Sequence, residues 1–251
     1  MTTAILSALA QEQSGLLAAL QQPVRTQHAG RSFSSGVLHG QPVVLALSGI
    51  GKVAAATTAS ALIERFGATR IVFTGVAGGV GDGVNVGDVV VARSYVQHDM
   101  DASPLFARWL VPGYADICLP CDSELSALLS GAASAYLASV SGLFDINSGT
   151  TAPRLHHGLM ASGDRFINCP EVSNALRTPL LAAGHDVLAV EMEGAAVAQV
   201  CLDYGVAFAA MRTISDRADA TAHVDFAQFI DTVASRYADH IVRNLLQSLP
   251  K

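Results

Sequence analysis

Charge is scarce in this sequence: 14% of its 251 residues are Asp, Glu, Lys or Arg, against 51% hydrophobic ones. The net charge is −6 and the Lys and Arg residues form no cluster. This excludes a surface built for nucleic acid or anionic membrane. No apolar run approaches the ~20 residues of a membrane span. Met1-Thr2-Thr3-Ala4-Ile5 enters a strand-like segment with no basic stretch before it. No signal peptide is therefore expected, and the cytoplasm is the expected location. Four cysteines in a chain of this length do not make a disulfide scaffold, in keeping with a reducing compartment. There is no internal repeat and no linker-like tract, so residues 1–251 are read as a single domain. A chain of this size buries roughly 70–75% of its unfolded surface and needs no covalent staple.

What is present is an alternation of strand and helix patterns. Residues 4–8 read as a strand, and residues 11–20 have helical spacing. Residues 24–26, 36–38 and 43–47 are short strands, the last two joined by the turn His39-Gly40-Gln41-Pro42. Residues 52–66 follow as a helix, 68–74 as a buried strand, and 86–92 as a strand with an irregularity at Gly87-Asp88. Residues 99–120 have no clear period and contain Phe106, Trp109 and Tyr114. Beyond them come a helix over 122–140 with Asp122 as N-cap, a strand over 155–162 and a helix over 171–183. A strand over 187–190, a helix over 194–204, a strand over 206–214 and a long helix over 225–249 complete the chain. This alternation predicts an α/β fold with a mostly parallel sheet flanked by helices.

Carboxylates stand where such a fold binds ligands, in the crevice beyond the carboxyl ends of the strands. Glu12 follows the first strand, as a helix-start charge or a general base. Glu191 and Glu193 follow the strand over 187–190, as caps of the next helix or as acceptors for the hydroxyls of a ribose. Met192 between them fills a core gap or lines an apolar pocket. Asp216 ends the strand over 206–214, as a turn residue or as a proton donor whose pKa is raised by partial desolvation. Arg212, four residues earlier, is a possible ion-pair partner for it. Gly49-Ile50-Gly51-Lys52 and Gly75-Val76-Ala77-Gly78-Gly79 also follow strands. Neither is a P-loop or a G-x-G-x-x-G motif, and both suit close backbone approach or tight turns. Phe166 is a core residue or a stacking surface for a heterocycle. The lone Cys118-x-x-Cys121 pair, and His98, Asp99 and Asp101, are poor candidates for a metal site.

Taken together, Ser48-Gly49-Ile50-Gly51-Lys52, Thr74-Gly75-Val76-Ala77-Gly78-Gly79, Val86-Gly87-Asp88-Val89-Val90, Ser162-Gly163-Asp164-Arg165-Phe166-Ile167-Asn168, Val190-Glu191-Met192-Glu193 and Ile214-Ser215-Asp216 closely resemble the bacterial 5′-methylthioadenosine/S-adenosylhomocysteine nucleosidases, within the purine nucleoside phosphorylase superfamily. The resemblance runs from about Ile5 to about Leu246. It implies a central mixed, partly curled sheet flanked by helices. It also implies a homodimer in which residues 99–120 of one subunit close the other's pocket, through Leu105, Phe106 or Trp109.

The implied reaction is hydrolysis of the bond between adenine and a 5′-thio-substituted ribose, a step of methionine salvage. By resemblance Asp216 protonates adenine N7, with Ser215 beside it. Glu193 holds the ribose hydroxyls and stabilises the oxocarbenium-like charge, and Glu12 activates the attacking water. Phe166 stacks on adenine and Ile167 reads its edge through backbone groups. Met192 packs near the ribose, Phe226 near the 5′-substituent, and Ile50 lines the sulfur end. Val76 departs from the pattern, since family members often carry Ser there. No metal or organic cofactor is called for, and the only small-molecule partner implied is the nucleoside. Phosphorolytic relatives hold phosphate with arginines, which the Gly75–Gly79 stretch and residues 8–20 lack. A carboxylate at Glu12 repels phosphate but suits water. The competing reading is a nucleoside sensor that keeps the pocket without catalysis; retention of all three carboxylates speaks against it. Methylthioadenosine, adenosylhomocysteine, 5′-deoxyadenosine and an aminodeoxyfutalosine-type nucleoside all fit the scheme.

Overall fold

The computed structural model describes residues 1–140, 152–219, 222, 229 and 235–250. In chain order the strands are β1 (Thr2–Ser7), β2 (Gln21–His28), β3 (Arg31–Leu38), β4 (Gln41–Leu47), β5 (Ala68–Gly79), β6 (Val89–Gln97), β7 (Leu119–Pro120), β8 (Leu155–Ser162), β9 (Val187–Glu191) and β10 (Ala207–Asp216). The helices are α1 (Ser14–Ala19), α2 (Lys52–Glu64), α3 (Ser123–Val140), α4 (Pro170–Ala182), α5 (Gly194–Tyr204) and α6 (Ser235–Ser248).

All the strands join one mixed sheet, in the order β10-β6-β8-β9-β5-β1-β4-β3-β2, with β7 on β6. Because β10 also pairs with β5, five strands close a ring: β5, β10, β6, β8 and β9. The expected partial curl is thus a full closure, and β1 to β4 extend from it. Only half of the pairings are parallel. The β2-β3-β4 meander is antiparallel because its connections are two residues long, too short for a crossover. Ala29-Gly30 (φ 47° and 73°) and His39-Gly40 (φ 49° and 77°) both have positive φ at both central positions, as a tight hairpin of matching twist demands.

The high apolar content follows from burial on both sheet faces. Ala4, Leu6, Ile71 and Phe73 pack with α2 and α5 on one side, among them Leu62 and Val197. The alternate residues Ile5 and Val72 pack with α3 and α6 on the other, among them Leu129 and Ile241. In α6 the buried residues are Tyr237, Ala238, Ile241, Val242, Leu245 and Leu246, a stripe at helical spacing.

Several boundaries differ from the sequence expectation, for identifiable reasons. The strand expected to end at Thr74 runs on through Gly79, because β10 pairs with it as far as Gly78 and β9 pairs with Gly78 and Gly79. The strand expected over 86–92 begins at Val89, after Gly87 (φ 91°) and Asp88. There the Asp88 carboxylate accepts the N–H groups of Asn85 (2.9 Å) and Arg154 (2.7 Å). The helix expected over 11–20 divides into a 3₁₀ turn, Ala10–Gln13, and the short α1. Asp122 is the expected cap: it accepts the Leu125 N–H at 2.8 Å. Of the long terminal helix, residues 235–248 are α6, while most of residues 220–234 lie outside the described residues.

One edge of β5 positions the site. Along it β1 pairs as far as Phe73, and β9 takes over at Gly78. Between them, residues 74–77 face neither strand. A crevice opens there at the carboxyl ends of β1, β5, β8, β9 and β10.

Candidate active site

Glu12 enters this gap from the 3₁₀ turn after β1. One carboxylate oxygen accepts the N–H groups of Ala8 and Leu9, both at 2.9 Å. The other accepts the Val76 N–H at 3.2 Å, taking the place of a missing strand partner. Burial raises its pKa above the ordinary 4.5, opposed by these N–H groups and the charge of Arg212.

Glu191 and Glu193 divide their roles. Glu191 accepts the Gly194 N–H at 3.0 and 2.9 Å with its two oxygens, capping α5. It also takes the Ser162 hydroxyl, the Glu193 N–H at 3.3 Å and the Arg212 guanidinium at 2.6 Å. The capping reading therefore holds for Glu191, and of the readings open for Arg212 the ion pair with Asp216 does not occur: the guanidinium goes to Glu191. Arg212 is only 1% exposed and lies 4.0 Å above the Phe73 ring. Glu193 makes no cap. Its carboxylate accepts the Gly51 N–H at 2.9 Å, and burial, reinforced by the neighbouring Glu191 charge, pushes its pKa up to about 8.

Asp216 closes the opposite side. Its oxygens accept the Ser215 hydroxyl at 2.7 Å and the Ala218 N–H at 2.8 Å. The glycines of β5 make room for these acids. A Cβ on Gly75 would lie 2.9 Å from a Glu12 oxygen, and one on Gly78 would lie 3.0 Å from an Asp216 oxygen. Close approach, not a turn, explains that glycine-rich stretch.

Glu12, Glu193 and Asp216 line one cavity of about 390 Å³, within the range of small-molecule sites. Ile50, Val76, Phe166, Ile167, Met192 and Ser215 line it too. Nine of the ten residues singled out from the sequence thus share one space; the tenth, Phe226, lies outside the described residues. Ile50 (59%) and Phe166 (40%) are exposed beside it, while Ile167 is buried. Sequence reasoning missed Leu9, Arg165 and Val190 in the lining. Adjacency to Glu12, Phe166 and Glu191 was their available signal.

Other expectations resolve elsewhere. Trp109 is buried within its own chain, in the cluster that holds Val96 and Ile167. Leu105 and Phe106 are exposed. The four cysteines are free, and no metal-ligating group of three or more side chains occurs among the described residues. No helix among them is long and apolar enough to cross a membrane.

Comparison with known proteins gives concordant matches. A family model described as "Phosphorylase superfamily" matches residues 2–247. A 5′-methylthioadenosine/S-adenosylhomocysteine nucleosidase of Mycobacterium bovis is 35% identical over 262 residues, covering 100% of this chain and 97% of that protein. Among solved structures, an S-adenosylhomocysteine nucleosidase from Streptococcus pyogenes, in complex with 5-methylthiotubericidin, superimposes with TM-score 0.85 and 31% identity, covering 100% of this chain and 98% of that one. A futalosine hydrolase of Helicobacter pylori gives 0.84 and 30%, covering 99% and 98%.

Proposed function

This chain belongs to the phosphorylase superfamily, and within it we propose a hydrolase that cleaves the N-glycosidic bond of 5′-thio-substituted adenosines, methylthioadenosine and adenosylhomocysteine, to adenine and the thioribose. The observation that carries this reading is the meeting of Glu12, Glu193 and Asp216 around one cavity of nucleoside size.

Adenine leaves poorly as an anion, so the reaction needs a proton at N7 as the bond breaks. Asp216 supplies it, held by Ser215 and the Ala218 N–H. The sugar then carries positive charge. Glu193, anchored by the Gly51 N–H, holds the ribose hydroxyls, and its ionised form, which grows as pH rises toward about 8, stabilises that charge. Glu12 takes a proton from the attacking water. Three backbone donors keep its carboxylate in place, and its raised pKa brings it toward the working pH of a general base. Phe166 and Ile167 receive the purine, Met192 the ribose face, and Ile50 the sulfur end. The Val76 side chain is apolar; only its backbone N–H serves Glu12.

Water is favoured over phosphate as nucleophile. The buried cation Arg212 is already paired with Glu191, and the carboxylate of Glu12 disfavours an anion. The test is adenine release from methylthioadenosine with and without phosphate. Equal rates and a free sugar support hydrolysis; phosphate dependence and a sugar 1-phosphate overturn it. The futalosine hydrolase likeness adds an aminodeoxyfutalosine-type nucleoside to the substrates for comparison, since apolar pockets discriminate a methylene by only ~1–3 kcal/mol.

Residues 1–251 act as one nucleosidase domain, in the cytoplasm and in methionine salvage. A homodimer completes the site, with Leu105 (83% exposed) and Phe106 (44%) covering the partner's pocket; sedimentation at micromolar concentration tests it.

A further inference from the structure

Outside the carboxylate trio, three residues close a ring of hydrogen bonds that none of the steps above uses. The Lys52 N–H donates to an Asp164 oxygen at 2.7 Å. The Asp164 N–H donates to one Asp99 oxygen at 3.0 Å. The other Asp99 oxygen takes the Lys52 ammonium at 2.6 Å. The same ammonium donates to Gln97 at 3.0 Å, and Gln97 donates to Gln199 of α5 at 2.8 Å. The Lys52 side chain is 17% exposed and that of Asp99 33%, so the pair is partly shielded from water.

The ring joins three separate segments: the start of α2, the end of β6 and the loop after β8. Two of these carry cavity residues. Ile50 and Gly51 precede Lys52, and Gly51 supplies the N–H that holds Glu193. Arg165, Phe166 and Ile167 follow Asp164 directly. The loop's root is fixed by the Gly163 N–H on the Glu191 carbonyl at 3.2 Å, but Asp164 is tied by the ring. Close packing leaves little slack there: a Cβ on Gly51 would lie 3.2 Å from the Asp164 carboxylate, and one on Gly163 would meet the His98 ring.

We infer that Lys52 and Asp99 are positioning residues, which lock the purine-receiving loop at 164–167 to the Gly51 anchor of Glu193. The substrate assignment rests on the reading above; the locking does not. Neither residue touches the reacting atoms. Gly51 is held independently, by the Ala55 N–H on its carbonyl at 3.0 Å and by Glu193, so loss of the ring frees the 164–167 loop and not the anchor. That loss acts on purine binding, which is shared by ground and transition states, and appears in KM rather than kcat.

The experiment takes Lys52→Met, Lys52→Arg, Asp99→Asn and the Lys52→Met/Asp99→Asn double variant. Each is assayed for methylthioadenosine cleavage, for adenine binding by calorimetry and for thermal midpoint. Expected are a KM about tenfold higher in Lys52→Met and Asp99→Asn, kcat within about threefold of wild type, and adenine affinity weakened in step. Lys52→Arg, which restores a cation to Asp99, recovers most of the KM. The double variant is little worse than either single one, as two parts of one ring require. Unchanged KM and adenine affinity in folded Lys52→Met and Asp99→Asn, whatever their midpoints, overturn the inference. So does a multiplicative double variant. Should Lys52→Met not fold, Asp99→Asn and Lys52→Arg decide by the same readouts. If the wild type binds adenine but does not cleave the nucleoside, the proposed function fails while the adenine arm still tests the ring.

Discussion

Glu193 is held at a disadvantage to stability, and Glu193→Gln measures it. In an unfolded chain its carboxyl has the ordinary value of 4.5; in the folded protein, burial and the Glu191 charge move it to about 8. The folded state therefore keeps a proton that the unfolded state has lost between those values. Stability must fall as pH rises through that window. At ~1.4 kcal/mol per unit, the wild type carries a penalty of roughly 4 kcal/mol near pH ~8 and under ~1 kcal/mol near pH ~5. Gln keeps the oxygen that accepts the Gly51 N–H but cannot ionise. Urea unfolding of both proteins at the two pH values is the assay. At a slope of up to ~3 kcal/mol per molar urea, the variant's midpoint should exceed the wild type's by more than ~1 M at the higher pH and by little at the lower. Activity should fall most at the higher pH, where the wild-type carboxyl is substantially ionised and Gln stabilises no positive charge, which makes this a site where function opposes stability. A variant no more stable than wild type at the higher pH, or a gap equal at both, would refute the reasoning.

Four further outcomes are expected. Asp216→Asn should lower kcat by at least ~10², the scale of general acid catalysis, while adenine binding measured by calorimetry survives. Because burial raises the carboxyls of both Glu12 and Glu193 above 4.5 and both act ionised, kcat/KM should decline with falling pH at values above 4.5, and a Glu193→Gln variant's residual pH–rate profile should keep the part of the decline that belongs to Glu12. Gly75→Ala places a methyl group 2.9 Å from the Glu12 oxygen, so single-turnover rates should fall at least tenfold, with ~1–3 kcal/mol of stability lost in urea. Arg212→Met leaves Glu191, buried and 1–2% exposed with its partner, without a cation; ~3–5 kcal/mol should be lost at neutral pH.

The order of strands and helices was legible because each element carries its own period, and the buried strands show as apolar runs. The full ring was not. Closure depends on β9 meeting Gly78 and Gly79 of β5, a contact over a hundred residues apart in sequence with no local signature. The end of β5 was misread for a related reason. Glycine usually interrupts strands, whereas here it admits Glu12 and Asp216 against the backbone. The three acids could be picked out because they are rare charges placed at strand ends. Which carboxylate of Val190-Glu191-Met192-Glu193 was structural could not be read. That depends on Arg212 and Ser162 arriving from other strands to take Glu191. Trp109 shows the opposite limit, an aromatic in an irregular stretch that packs inward.

The most direct measurement is a crystal structure of the Asp216→Asn variant soaked with methylthioadenosine. The account predicts the purine against Phe166, residue 216 within hydrogen-bond reach of N7, Glu193 on the ribose hydroxyls and Glu12 facing the anomeric carbon across one water. A nucleoside bound elsewhere, or bound here with any of the three residues turned away from it, would contradict the account.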